Sequence, residues 1–197
     1  MTGDMREYWN QQAETYDVEP DHGLRDPVVR DAWASLLAAH LPEPPAKVTD
    51  IGCGTGSLSL LLAEAGYNVH GIDLSPRMID RAREKAAAAG VTATFEQGDA
   101  SVPVLESSAY DVVLARHILW ALPDPRAALS KWTDLLRPQG LLVLIEGRWS
   151  TGGGLTAAEC RSLVLEHRHQ ATVHQLRDPS LWGRTINDER YVVVSRR

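Results

Sequence analysis

Between residues 47 and 146 five short apolar runs alternate with stretches of helical periodicity, and a glycine-rich turn follows the first run. The runs are residues 47–51, 68–73, 92–97, 110–115 and 141–146. Leu58, Leu61, Leu62 and Ala65 recur at helical spacing after the first, and Met78, Ile79, Ala82 and Ala86 after the second. Leu129, Trp132 and Leu136 do so after the fourth. Strands this short, separated by amphipathic helices, predict a doubly wound α/β fold.

The punctuation agrees with that reading. Ser75 and Pro76 suit the cap and first position of a helix, and Gly66 and Gly90 suit helix ends. Asp124-Pro125 opens another helix, and Thr156 with Glu159 has the spacing of a capping box for a helix of about 12 residues. Two strands near 172–176 and 190–195 close the chain, joined by residues 177–189. Two helices, about 4–16 and 26–41, precede the first strand. At 197 residues the chain suits one compact domain. Residues 1–42 are read as helices covering the site, and 43–197 as the core that carries it.

Composition narrows the function. The net charge is −6, with seven acids among the first 26 residues, and no basic patch offers the phosphate neutralisation that nucleic-acid binding needs. No apolar run approaches the roughly 20 residues of a membrane span, and the first ten residues lack the layout of a secretion signal. Cys53 and Cys160 form neither a disulfide framework nor a metal-ligand pair, and the histidines are scattered. The expectation is a cytoplasmic protein with no metal, no nucleic-acid partner and no membrane partner.

Open α/β sheets collect ligands at the carboxyl ends of their strands. There the first strand runs into Asp50-Ile51-Gly52-Cys53-Gly54-Thr55-Gly56, where glycines let the backbone approach a ligand ahead of a helix N-terminus. The second strand ends at Asp73, whose carboxylate can accept both hydroxyls of an adenosine ribose. The third ends in Gln97-Gly98-Asp99-Ala100, where Asp99 can accept from an adenine amino group. Each segment alone also reads as an ordinary turn; their order makes them a constellation.

On these residues the chain resembles the class I S-adenosylmethionine (SAM)-dependent methyltransferases, in particular the small type 11 group. The resemblance runs over about residues 8–146 and includes VTDIGCGTG, GIDLSPRMI, EQGDA and DVVLARHILWALPDP, with Tyr8-Trp9-Asn10, Ala13 and Tyr16-Asp17 upstream. It implies a Rossmann-like, seven-stranded, mostly parallel sheet with an antiparallel last strand. It also implies an enzyme that binds SAM and releases S-adenosylhomocysteine. Gly52, Gly54 and Gly56 would line the methionine part, with Asp50 setting the loop. Asp73 would hold the ribose, Leu74 and Met78 would flank adenine, and Asp99 would bind its amino group. The Arg116 backbone would lie at the amino-acid end, Tyr16 would close over the pocket, and Cys53 and Ala100 belong to the same cofactor-binding segments.

The rival dinucleotide fingerprint, Gly-x-Gly-x-x-Gly, fails at Ser57. A nucleic-acid methyltransferase would carry Asn-Pro-Pro-aromatic where this chain has Ala115-Arg116-His117-Ile118. A SAM-binding regulatory protein without turnover stays open. The acceptor is expected to be a small molecule, methylated on oxygen or nitrogen. Its deprotonation would fall to His117 or Glu146, although relatives carry a His-His pair where this chain has Trp120 and Ala121. Trp9, Trp120, Trp149 and Trp182, with Arg148 and Arg184, are the candidate acceptor-binding residues, while Trp33 and Trp132 read as core. For Glu146 and Arg148 an ordinary surface ion pair is the plain alternative.

Overall fold

The computed structural model describes residues 2–196. Helices α1 (Thr2–Gln12), α2 (Pro20–Gly23) and α3 (Pro27–His40) lead into β1 (Lys47–Ile51). Then follow α4 (Ser57–Glu64), β2 (Asn68–Asp73), α5 (Pro76–Ala89), β3 (Thr94–Gln97), β4 (Tyr110–Arg116) and α6 (Pro125–Asp134). The chain closes with β5 (Leu136–Arg148), α7 (Ala157–Leu165), β6 (Thr172–Gln175) and β7 (Glu189–Ser195). The seven strands form one sheet in the order β3-β2-β1-β4-β5-β7-β6. Only β7 runs against the others, pairing antiparallel with both β5 and β6.

The sheet is buried on both faces, which is why its central strands are nearly continuous apolar runs. Val48, Val112, Leu114, Val143 and Ile145 face one cluster, which α3 and α4 cover. Val113, Ala115, Leu142, Leu144 and Val193 face the other, under α6 and α7. Trp33 and Trp132 are fully buried, one in each cluster. Each indole N–H finds a backbone carbonyl, Leu181 O and Ala100 O, both at 2.7 Å, so neither ring is buried with an unpaired donor.

The sequence-placed caps hold. Ser75 accepts the N–H of Met78, Asp124 that of Ala127, and Thr156 and Glu159 complete the capping box. Several expectations differ. Leu136, read on the face of α6, instead starts β5, because it pairs with Tyr110 of β4, so that strand is longer than 141–146. Strand β3 starts at Thr94 rather than 92. The first helix stops at Gln12 rather than near residue 16, because Tyr16 and Asp17 leave it to contact the glycine turn from a 3₁₀ turn (Tyr16–Val18). The short α2 was not anticipated. Helix α7 is nine residues long, so His167 and His169 lie past its end.

Strand order fixes where a ligand sits. From β1 the chain winds outward to β2 and β3, and from β4 it winds the opposite way. The carboxyl ends of β1 and β4 are therefore the switch point, flanked by those of β2 and β5. Because β6 is parallel to β5, residues 176–188 also return over that edge.

Candidate functional site

The glycine turn is built tightly on one side and open on the other. The N–H groups of Gly52 and Cys53 both donate to Ile72 O, at 2.8 and 2.9 Å, fastening the turn to β2. Gly56 has φ +77, and a Cβ there would lie 2.9 Å from the Ala82 Cβ. That glycine serves packing of α4 on α5. Gly54, at φ +55, would instead meet only the ring of Tyr16, at 3.3 Å.

Three strand ends converge here. Asp73 accepts the Gly54 N–H at 2.9 Å and the Ser75 N–H at 2.8 Å through its two oxygens. Burial raises its carboxyl above the ordinary range, against the pull of those two donors. The Gly98 N–H donates to Asp73 O at 2.9 Å, bringing in the end of β3. Asp99 is turned back on its own loop, accepting the Ser101 N–H and hydroxyl at 2.8 and 2.6 Å. Leu74 is half-buried and Met78 and Ala100 are buried. Beneath the turn Asp50 accepts the Ser59 hydroxyl at 2.6 Å, and burial pushes its carboxyl up to about 6. Cys53 is inert in this setting, since burial raises its thiol well above the usual range.

Residues 16–24 form a cover. The Tyr16 ring lies over Gly54, stacks on His22 at 4.3 Å and meets Trp9 edge-on at 6.2 Å. Burial pushes its hydroxyl up to about 12. Arg116 donates to the Asp21 carbonyl and carboxylate at 2.7 and 2.6 Å, with its guanidinium over the Trp33 ring. Under the cover is a cavity of about 30 Å³, bounded by Tyr16, His22, Asp50, Gly52 and Arg116. The Arg116 Nε is shielded from solvent and has no partner. A carboxylate entering that cavity would supply the missing acceptor, so the residues fit the amino-acid end of a SAM-like ligand.

Across the switch point, His117 sits at φ +55 just past β4, its N–H on Ile145 O at 2.8 Å. Its imidazole meets Trp149 edge-on at 5.4 Å and stacks on Trp182 at 6.2 Å. Burial first, then the Arg116 guanidinium, hold its pKa well below the ordinary value, so the ring is neutral. Its Nε2 is shielded and unpartnered. The Trp120 N–H donates to His117 O at 3.1 Å, and Trp120 stays exposed beside Trp149.

Several candidates lie elsewhere than the sequence suggested. Glu146 is fully buried and is no surface ion pair with Arg148. It accepts the N–H groups of Ile118 and Leu119 at 3.0 and 2.8 Å, while Arg148 donates to Gly154 O. Trp182 is not at a pocket mouth but in the core, edge-on to Trp33 at 5.5 Å. Arg184 is exposed, 3.6 Å from Glu19. Asp21, His22, Lys85 and Arg190 were missed; the acid-rich N-terminus was the one available hint of the first. Among the described residues no cluster could hold a metal, and no helix is long and apolar enough to cross a membrane.

Residues 49–144 match the family model of a methyltransferase domain, a span from β1 to β5 that holds the glycine turn, Asp73, Asp99 and His117. The match covers just under half of the chain and agrees with the resemblance its motifs carry to the class I SAM-dependent methyltransferases, type 11 group. The chain is 37% identical over 141 residues to the ubiquinone biosynthesis O-methyltransferase of Cereibacter sphaeroides, covering 70% of this chain and 57% of the relative. An uncharacterised protein of Mycobacterium tuberculosis is 29% identical, over 76% of this chain and 53% of its own length. The chain thus spans little more than half of the curated relatives it matches. In fold, the chain is similar to magnesium protoporphyrin IX methyltransferase from Synechocystis, solved with bound SAM. The TM-score is 0.74 and the identity 23%, over 100% of this chain and 96% of the other.

Proposed function

We propose that this chain transfers a methyl group from SAM to a hydroxyl oxygen of a small-molecule acceptor. The observation that carries the reading is Asp73, a half-buried residue whose carboxylate reaches both the glycine turn and the start of α5. A carboxylate at that junction is placed to exchange backbone donors for a ribose diol, each charged hydrogen bond contributing about 1.5–3 kcal/mol. The name of the O-methyltransferase relative supports oxygen as the acceptor atom.

Bound SAM supplies an activated methyl: the acceptor oxygen bonds to its carbon, the carbon–sulfur bond breaks, and the electron pair stays on sulfur in S-adenosylhomocysteine. The protein aligns and shields. Gly52, Gly54 and Gly56 keep the turn free of side chains along the ligand. Asp99 releases Ser101 to accept from adenine, between Leu74 and Met78. The Arg116 Nε holds the carboxylate end, and Tyr16 with Trp9 excludes water from above. His117 is the base: its imidazole is neutral and its Nε2 has no partner, so it is the atom to take the hydroxyl proton. Glu146 is already committed to two backbone donors, so it positions the loop that carries His117.

Calorimetry with S-adenosylhomocysteine tests the first half of this reading: wild type binds, and Asp73→Ala loses at least tenfold, with Asp73→Asn intermediate. Methyl-labelled SAM offered with a panel of hydroxylated metabolites tests the second. Binding without methyl transfer to any of them favours a regulatory protein, and absence of binding removes both.

A further inference from the structure

Arg116 already holds a carboxylate, but through only one of the two bonds its shape allows. The edge of a guanidinium formed by Nε and the neighbouring Nη2 binds a carboxylate best, through two parallel N–H donors. Asp21 takes half of that edge. Its carboxylate accepts from Nη2 at 2.6 Å, while Nε is shielded and has no partner. Nη1 donates to the Asp21 carbonyl at 2.7 Å, and the Trp33 ring supports the guanidinium from 4.3 Å. Both side chains of the pair are largely shielded from solvent.

The unit that brings Asp21 here is small. In α2 the N–H groups of Gly23 and Leu24 donate to Glu19 O and Pro20 O, at 3.0 and 3.1 Å. Leu24 closes the turn at φ +51, a left-handed conformation that costs a bulky residue free energy. The Glu19–Arg184 pair beside it is 3.6 Å apart and exposed, so it contributes little. Asp21 on Arg116 is therefore the main charged tether of residues 19–24. The segment bearing Tyr16 is held separately, where Asp17 accepts from Lys85 at 2.8 Å. With α2 in place the cavity at Arg116 is about 30 Å³, space for a water or two, whereas pockets that enclose a small molecule span roughly 300–1,000 Å³. The amino-acid end of SAM cannot reach both donors of that edge until α2 moves.

We propose that Asp21 is an internal stand-in for the cofactor's carboxylate: the ligand displaces it from Nη2, takes both donors of the edge and releases α2, while Tyr16 stays over the glycine turn. This deepens the methyltransferase reading above and rests on it. The latch is selective. A ligand with an amino-acid carboxylate competes with Asp21, and an adenosine without one leaves the latch closed.

Calorimetry with S-adenosylhomocysteine and with 5′-methylthioadenosine, which keeps the adenosine and thioether but lacks the amino-acid end, tests this. Asp21→Asn keeps the side-chain shape and removes the competing charge. It should bind S-adenosylhomocysteine at least tenfold more tightly than wild type does, with 5′-methylthioadenosine affinity within twofold. A gain for S-adenosylhomocysteine no greater than that for 5′-methylthioadenosine overturns the proposal. So does a loss, which would make Asp21 a partner of the ligand's ammonium instead. A crystal structure of wild type with S-adenosylhomocysteine gives a second reading that does not depend on the variant folding. The ligand carboxylate should lie on Nε and Nη2 with Asp21 beyond hydrogen-bond reach, and Asp21 still on Nη2 overturns the proposal. Failure of S-adenosylhomocysteine to bind wild type sinks the underlying methyltransferase reading instead.

Discussion

One carboxylate oxygen of Glu146 holds the backbone N–H groups of Ile118 and Leu119, so the end of β5 sets the loop that follows β4. The other oxygen is buried and has no partner. Burial pushes this carboxyl up to about 8, more than the two backbone donors pull it down. The folded chain therefore holds a proton at pH 7 that the unfolded chain, with a pKa near 4.3, has released. That stabilisation is complete below the unfolded pKa and is lost as pH rises toward 8. Stability should fall with pH across this window with a slope of up to about 1.4 kcal/mol per unit from this group. Urea denaturation of wild type and Glu146→Gln at several pH values checks it: the variant should lack that component. Parallel curves for the two proteins would refute it.

The glycines of the turn divide by what surrounds them. Gly56→Ala forces a Cβ against Ala82 and the Phe95 ring at positive φ, a backbone and packing strain of about 1–3 kcal/mol. Gly54→Ala meets only Tyr16, a side chain at the edge of the cover. Thermal unfolding should therefore register Gly56→Ala as the larger loss of stability. S-adenosylhomocysteine calorimetry should register Gly54→Ala as the larger loss of affinity relative to its stability cost. Equal effects of the two in both assays would count against this division.

Most of the sheet was legible because its signals are local. Strand length, helix periodicity, and the caps at Ser75, Asp124 and Thr156 each depend on a few neighbouring residues, and the glycine turn announces its own backbone. Of the candidate site, what was legible is the order of strand ends that sets Asp73 beside the glycine turn and the end of β3 beside Asp73. What was not legible depends on pairing across the chain. Arg190 lies over Trp149 and Trp182 because the β5–β7 register sets it against Gly147, and nothing within either strand reveals that. Glu146 read as a surface acid because its partners are two backbone N–H groups contributed by another strand's loop. The excess of acid before residue 26 has the same origin. Asp17 and Asp21 pair with Lys85 and Arg116 far along the chain, and Asp26 caps α3.

The pair of Asp21 and Arg116 makes a further prediction. Their side chains are 12% and 11% exposed, and Arg116 also keeps an unpaired Nε. Asp21→Ala leaves a guanidinium buried over Trp33 without its counter-charge, a loss of about 3–5 kcal/mol. A ligand carboxylate can replace that charge. Saturating S-adenosylhomocysteine should therefore raise the melting temperature of Asp21→Ala more than that of wild type, and an equal or smaller rise would argue against a carboxylate at Arg116.

The cover is tethered at its other end by Lys85. Its ammonium donates to Asp17 and Ser57 at 2.8 Å and to Thr55 at 3.2 Å, and Asp17 also accepts the Thr55 hydroxyl. Helix α5, the N-terminus of α4 and the segment bearing Tyr16 thus share one charged node. The Asp17 side chain is 13% exposed, so the bond is stronger than a surface ion pair, about 1.5–3 kcal/mol. Burial lowers the Lys85 pKa and the Asp17 carboxylate opposes it, as expected for an ammonium whose one counter-charge is Asp17. Lys85→Met keeps the length and apolar stem of the side chain and deletes the node. The cover should then open about tenfold more often, equivalent to about 1.4 kcal/mol. Amide hydrogen exchange over residues 16–24 should accelerate by that factor and S-adenosylhomocysteine affinity should fall with it, while exchange in β4 and β5 stays as in wild type. Unchanged exchange in the cover would show that it is held by its contacts at Asp21, His22 and Trp9 without the Lys85 node.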